Sequence, residues 1–130
     1  KRSEPYLGIA LAHTGAGNIK EARRAYEVYL KIAPDDAAAL HNYGLTLLAE
    51  NSPAKAVAPL RDAIRRAPTN AASYSALAVA LIHTKDYEGA WSTLADGAAI
   101  APTNTDILIN QILLQACLKN ADDKKHGKKK

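Results

Sequence analysis

Three prolines, Pro34, Pro68 and Pro102, stand 34 residues apart, and each follows an alanine and precedes two small polar residues. The stretches around them, "IAPDDAAAL", "RAPTNAASY" and "IAPTNTDIL", are versions of one another. A fixed period of this length marks a chain built from stacked supersecondary units, none of which can bury its apolar face alone. Cutting at that period gives blocks 3–36, 37–70 and 71–104, which align without a gap. Equivalent positions keep their size. Tyr6, Leu40 and Tyr74 are large, as are Ile9, Tyr43 and Leu77; Ala10, Gly44 and Ala78 are small, as are Ala22, Ala56 and Ala90; Tyr26, Leu60 and Leu94 are large again.

Within each block the apolar positions recur at spacings of three and four, which places them on one face of a helix, in two runs separated by turn residues. Each block therefore reads as a pair of antiparallel helices, with small residues letting backbones approach and large ones filling the space beside them. Gly15 and Gly17 mark the first turn within a pair, and Ser52 with Pro53 reads as a cap and a first helical residue. The block-end prolines stop the second helix, because the ring lacks an N–H and pushes the preceding residue away from helical geometry. Pro59 falls inside a second helix, where a slight bend rather than a break is expected. After the third block, residues 105–119 read as one more helix, a cap over the last apolar face, and residues 120–130 as a basic disordered tail. The fold class expected is an all-α solenoid of three hairpins plus one terminal helix.

Composition agrees. The chain has 130 residues, 48% of them hydrophobic, enough for one domain with a core. Alanine and leucine dominate, and Phe and Met are missing, a mixture that favours helices over strands. No apolar run approaches the roughly 18 residues of a membrane span. Cys117 is the sole cysteine and has no partner for an internal disulfide, which leaves the compartment open between cytoplasm and periplasm or envelope. The first residue is Lys1 rather than Met, so an initiator, a signal peptide or a larger N-terminal region is expected to be missing. Of the formal charge of +4, residues 121–130 carry +3, five Lys against two Asp, and the preceding 120 residues carry +1, 12 Lys and Arg against 11 Asp and Glu. The body is nearly neutral.

The three blocks resemble tetratricopeptide repeats, helical hairpins of 34 residues. The matching positions are Gly44, the small Ala22, Ala56 and Ala90, Gly17 in a turn, and the closing Pro34, Pro68 and Pro102; the early aromatic is met by Tyr6 and Tyr74 and replaced by Leu40. The resemblance covers residues 3–104 and the helix that follows. It implies a right-handed superhelix whose first helices line a concave face, and a function in binding protein. The alanine-rich style is similar to bacterial members, many of which are accessory factors in secretion, pilus assembly or envelope construction.

The arc that such a groove would present consists of Leu7, Leu11 and Thr14 in the first block, His41, Asn42, Leu45 and Leu48 in the second, and Ser75, Val79, Ile82 and His83 in the third, continued by Asn110 and Leu113 on the cap. It is mostly apolar. The plain alternative is that Leu11, Leu45 and Val79 simply pack between neighbouring first helices. Repeat proteins that hold the acidic tails of heat-shock chaperones use a clamp of Lys, Asn and Arg on these helices. Only Asn42 matches it, with Leu7, Ala72 and Ala76 at the basic positions. An amphipathic helix or extended apolar segment is the ligand expected instead, with Asn42 and Asn110 hydrogen-bonding to it.

The cap is more apolar than one packing face requires, and Trp91, Leu114 and Leu118 are candidate contacts for self-assembly into a homo-oligomer. Catalysis has little to stand on. His13 lies on the core stripe, His126 in the tail, and His41 and His83 on different hairpins with no carboxylate nearby. No metal-ligand spacing, phosphate-binding loop or nucleophile elbow is present, so no catalytic residue, metal, cofactor or small-molecule substrate is expected. Nucleic acid would need the basic side chains of the second helices, Lys20, Arg23, Arg24 and Lys31, then Arg61, Arg65 and Arg66. These alternate with Glu21, Glu27 and Asp62, and no aromatic platform accompanies them.

Overall fold

The computed structural model describes residues 4–127, with side chains from 6 to 122. Over that span there are seven helices and no strand: α1 (Glu4–Ala16), α2 (Ile19–Ile32), α3 (Ala37–Ala49), α4 (Pro53–Arg66), α5 (Ala71–His83), α6 (Tyr87–Ile100) and α7 (Thr105–Gly127). Helices pair as α1 with α2, α3 with α4 and α5 with α6, and each pair meets the next through α2 and α3, α4 and α5, and α6 and α7. Contacts between α3 and α5 and between α5 and α7 join the first helices along one side. The chain is an all-α helical solenoid, because every element touches only its near neighbours in sequence.

The period in the sequence becomes a period in the backbone. Within each pair the turn residue Gly17, Asn51 or Lys85 takes a left-handed conformation, with φ of 81°, 62° and 66°. The next residue then reaches back to the helix. Asn18 donates to the His13 carbonyl, Ser52 to Leu47 and Asp86 to Leu81, each at 2.8 Å. This is the hydrogen bond that closes a helix whose terminal residue turns left-handed. Between pairs, the second small polar residue after each proline caps the following helix. The side chains of Asp36, Asn70 and Asn104 accept from the amides of Ala39, Ala72 and Ile107 at 3.1, 3.2 and 3.1 Å. Ser52 occupies the cap position of α4 with Pro53 behind it, but its side chain makes no capping bond. Pro59 leaves α4 continuous.

Burial is uneven along the array. The main cluster runs from Leu47 through Ala56, Leu60, Leu77, Leu81, Ala90 and Leu94 to Ile107 and Leu114. A separate small cluster of Ala10, Ala22, Ala25 and Tyr26 holds the first pair, and Tyr43 packs against both. The core is thus two bodies sharing one tyrosine rather than a single spine. At this joint polar contacts take the place of apolar ones. The Tyr43 hydroxyl donates to Glu27 at 2.9 Å, and Arg23 pairs with Glu27 at 3.2 Å and with Glu50 at 2.6 Å. Burial and the Glu27 carboxylate push the Tyr43 phenol up to about 12. Tyr6 and Ile9, expected in the core, are exposed. Ile9 occupies the place that Tyr43 and Leu77 fill against a preceding pair, and no helix precedes α1 among the described residues.

Gly97 lets α6 enter between α5 and α7: a Cβ there would lie 2.7 Å from Ile107 Cδ1 and 2.9 Å from Tyr74 Cβ. The last helix runs past the expected end at 119, so residues 120–127 of the expected tail are helical, and 128–130 fall outside the described residues. Helix formers Ala121 to Lys125 follow Asn120 with no Gly or Pro before Gly127, so nothing stops the helix earlier.

Candidate functional site

The charges of this chain are distributed by helix. The α3 segment, AAALHNYGLTLLA, and the α5 segment, AASYSALAVALIH, hold no Lys, Arg, Asp or Glu, whereas α2 and α4 are rich in them. On the side where α3, α5 and α7 meet, a cleft of about 290 Å³ opens. It is lined by His41, Leu45 and Leu48 of α3, Ala72, Ser75, Ala76 and Val79 of α5, and Asp106 of α7. A smaller recess of about 70 Å³, lined by Leu48, Asn51, Pro53, Val79 and His83, shares Leu48 and Val79 with it. Together they form one continuous apolar trough.

The polar groups of the trough are held in place. The His41 Nδ1 and the Ser73 hydroxyl lie 2.9 Å apart, and burial lowers the His41 pKa, so the ring is neutral at pH 7. His83 donates from Nδ1 to the Val79 carbonyl at 2.8 Å, fixing its ring along α5. Leu45 is 42% exposed, so its side chain stands in the open cleft rather than between helices.

Of the residues expected in the groove, His41, Leu45, Leu48, Ser75, Val79 and His83 come together in this trough. The others do not. Leu7 packs on the small core cluster and Ile82 on the main one. Asn42 is half-buried; Leu11 and Leu113 are exposed on α1 and α7. Asn110, expected to bond to a ligand, is buried. Its Nδ2 donates to the Ser75 hydroxyl at 2.7 Å and to the Ser75 carbonyl at 3.4 Å, which ties α7 to α5. Ser75, itself buried, has the same bond for its hydroxyl.

The trough also contains residues outside the expected arc: Ala72, Ala76 and Asp106, with Asn51 and Pro53 at the far end. Ala72 and Ala76 are the positions where a basic clamp would stand, one helical turn from Ser75 and Val79, so their spacing was a usable signal. Asp106 had none, because its approach to α3 and α5 depends on how α7 docks.

The candidate oligomer contacts divide. Leu114 is fully buried in the main cluster, so it is a core residue and not a surface contact. Trp91 and Leu118 are exposed. The α7 surface that faces away from the core carries Leu108, Ile109, Ile112 and Leu113, with Ile112 at 65% exposure. A further recess of about 380 Å³, lined by Lys85, Tyr87, Cys117, Asn120 and Ala121, lies between the α5–α6 turn and the end of α7. Among the described residues no group of three His, Cys, Asp or Glu side chains could hold a metal ion, and no helix is long and apolar enough to cross a membrane.

Two family models described as tetratricopeptide repeat match residues 47–116 and residues 7–71. No curated protein matches the sequence. Among solved structures, the MamA protein superposes with a TM-score of 0.84 at 22% identity, covering 92% of this chain and 66% of that one. The chain therefore spans slightly under two thirds of MamA. The first repeat domain of Spaghetti (RPAP3), bound to the HSP90 peptide SRMEEVD, gives 0.84 at 14% identity over 91% of this chain and 94% of that one. The TPR2B domain of yeast Sti1, in complex with pHsp70, gives 0.77 at 23% over 91% and 97%. At these identities the likeness is one of fold.

Proposed function

This chain belongs to the tetratricopeptide repeat family, and on that footing we propose that it is a non-catalytic adaptor holding an apolar or amphipathic protein segment in the trough between α3, α5 and α7. The observation that carries this reading is the absence of Lys, Arg, Asp and Glu from α3 and α5, the two helices that supply most of the lining. A segment entering the trough would bury Leu45, Leu48 and Val79 and gain roughly 25 cal/mol for each Å² of apolar surface removed from water. Neighbouring structures hold chaperone peptides. This trough is unsuited to an acidic one, since Ala72 and Ala76 offer no cation and Asp106 would repel it. The similarity to bacterial family members supports a further reading as an accessory factor in secretion, pilus or envelope assembly.

Selection of a random displayed peptide library tests the groove. Wild type should enrich apolar sequences that a Leu45→Arg, Leu48→Glu double variant with unchanged helix content does not. Equal enrichment by both proteins would move the site elsewhere.

A second reading, self-assembly through α7, rests on the repeat register. Leu108 and Ile112 lie 34 residues after Tyr74 and Ala78, which α6 covers, yet both are exposed. Under this reading, sedimentation should give twice the monomer mass for wild type and the monomer mass for Leu108→Lys, Ile112→Glu. A monomeric wild type would remove it.

A further inference from the structure

An apolar trough supplies affinity without direction, since a greasy segment can lie in it either way round; a charge at one end breaks that symmetry. Asp106 is the only fixed charge among the residues lining the larger cleft. It stands in the first turn of α7, is exposed, and forms no ion pair among the described residues. The cations of the chain lie on α2 and α4, away from this lining. The opposite end of the trough, at Asn51, Pro53 and His83, has no carboxylate.

We infer that Asp106 orients the bound segment: the trough takes an apolar stretch carrying a Lys or Arg side chain, or a free amino terminus, at the end that lies against α7. This rests on the groove reading and gives it a polarity. The apolar walls hold water away from the ion pair on one side, which strengthens it relative to a pair on open surface. A ligand carboxylate in the same place would face Asp106 with no cation in the lining to offset it. His41, kept neutral by burial, does not change this balance at pH 7.

An aspartate in the first turn also suits the helix dipole whether or not a ligand binds. The test therefore reads ligand selection and not stability. The displayed library is selected on wild type, on Asp106→Lys and on the Leu45→Arg, Leu48→Glu variant. Wild type should enrich peptides with Lys or Arg at a constant offset from the apolar residues, and Asp106→Lys should enrich Asp or Glu at that offset. A synthetic peptide from the wild-type pool should bind Asp106→Asn about fivefold more weakly and Asp106→Glu nearly as well as wild type, and the fivefold gap should close in high salt. Apolar peptides without a charge preference, or a preference that Asp106→Lys leaves unchanged, would overturn the inference and leave the groove intact. No enrichment over the blocked variant would overturn the groove and this inference together. A thermal melt of each Asp106 variant confirms that the protein selected is folded.

Discussion

The sharpest residue-level feature is the left-handed turn position at 17, 51 and 85. Glycine meets it without penalty at 17, whereas Asn51 and Lys85 accept a conformation that costs an ordinary side chain about 1–2 kcal/mol, less for asparagine. Lys85→Gly should relieve that strain, and the added freedom of the unfolded chain should take back about 0.5–1 kcal/mol. The net expectation is a stability rise of about 0.5–1 kcal/mol, read as a higher urea midpoint with an unchanged slope. His41 sets a pH dependence. Its folded pKa lies below the unfolded value of 6.5 because burial disfavours the imidazolium. The unfolded state therefore binds the proton first, so this contribution to stability is complete above about pH 7 and is lost as pH falls below 6.5. The urea midpoint should drop over that range in wild type, and the drop should be smaller in His41→Gln, with Ser73 still given a polar neighbour.

At the scale of elements, α7 decides most. Its stripe of Ile107, Asn110 and Leu114 is buried against α5 and α6, while Ile112 on the opposite side is open to solvent. Leu114→Ala should therefore destabilise by about 2–4 kcal/mol in urea unfolding, the range for a truncated core leucine. Ile112→Glu should change stability by no more than about 0.5 kcal/mol, as expected of a surface site. Equal effects would mean that α7 docks through a different face. The sequence showed that this helix was too apolar for one interface. Which leucine belonged to which interface could not be read from it, because Leu114 and Leu113 are adjacent and equally greasy. The rotation of the helix about its axis is set by the Asn110 contact with Ser75 and by the gap at Gly97.

For the molecule as a whole, the division of the core predicts an order of opening. The first pair is held by three alanines and Tyr26, and α1 exposes Tyr6, Ile9 and Leu11, whereas α5 touches α3, α4, α6 and α7. In a linear array, stability is a sum of local terms and neighbour contacts, so ends open first. Amide hydrogen exchange should be fastest in α1 and slowest in α5, with α2 protected partly through the Arg23, Glu27, Tyr43 and Glu50 network. Uniform protection from α1 to α6 would argue for a single cooperative core.

The sequence by itself determined the helices, their pairing and the chemistry of the joints. These depend on contacts within one period: the Pro that ends a helix, the Asp or Asn that caps the next, and the small and large residues that recur every 34 positions. It also determined that half of the expected groove residues meet, because positions on one face of α3 and one face of α5 are related by the repeat itself. Only the tertiary structure decided that Asn110 is a structural link, that Leu114 lies in the core and that Asp106 stands at the trough. Those outcomes depend on how a helix without a partner settles against the last pair, a balance of packing among several neighbours that no local spacing encodes.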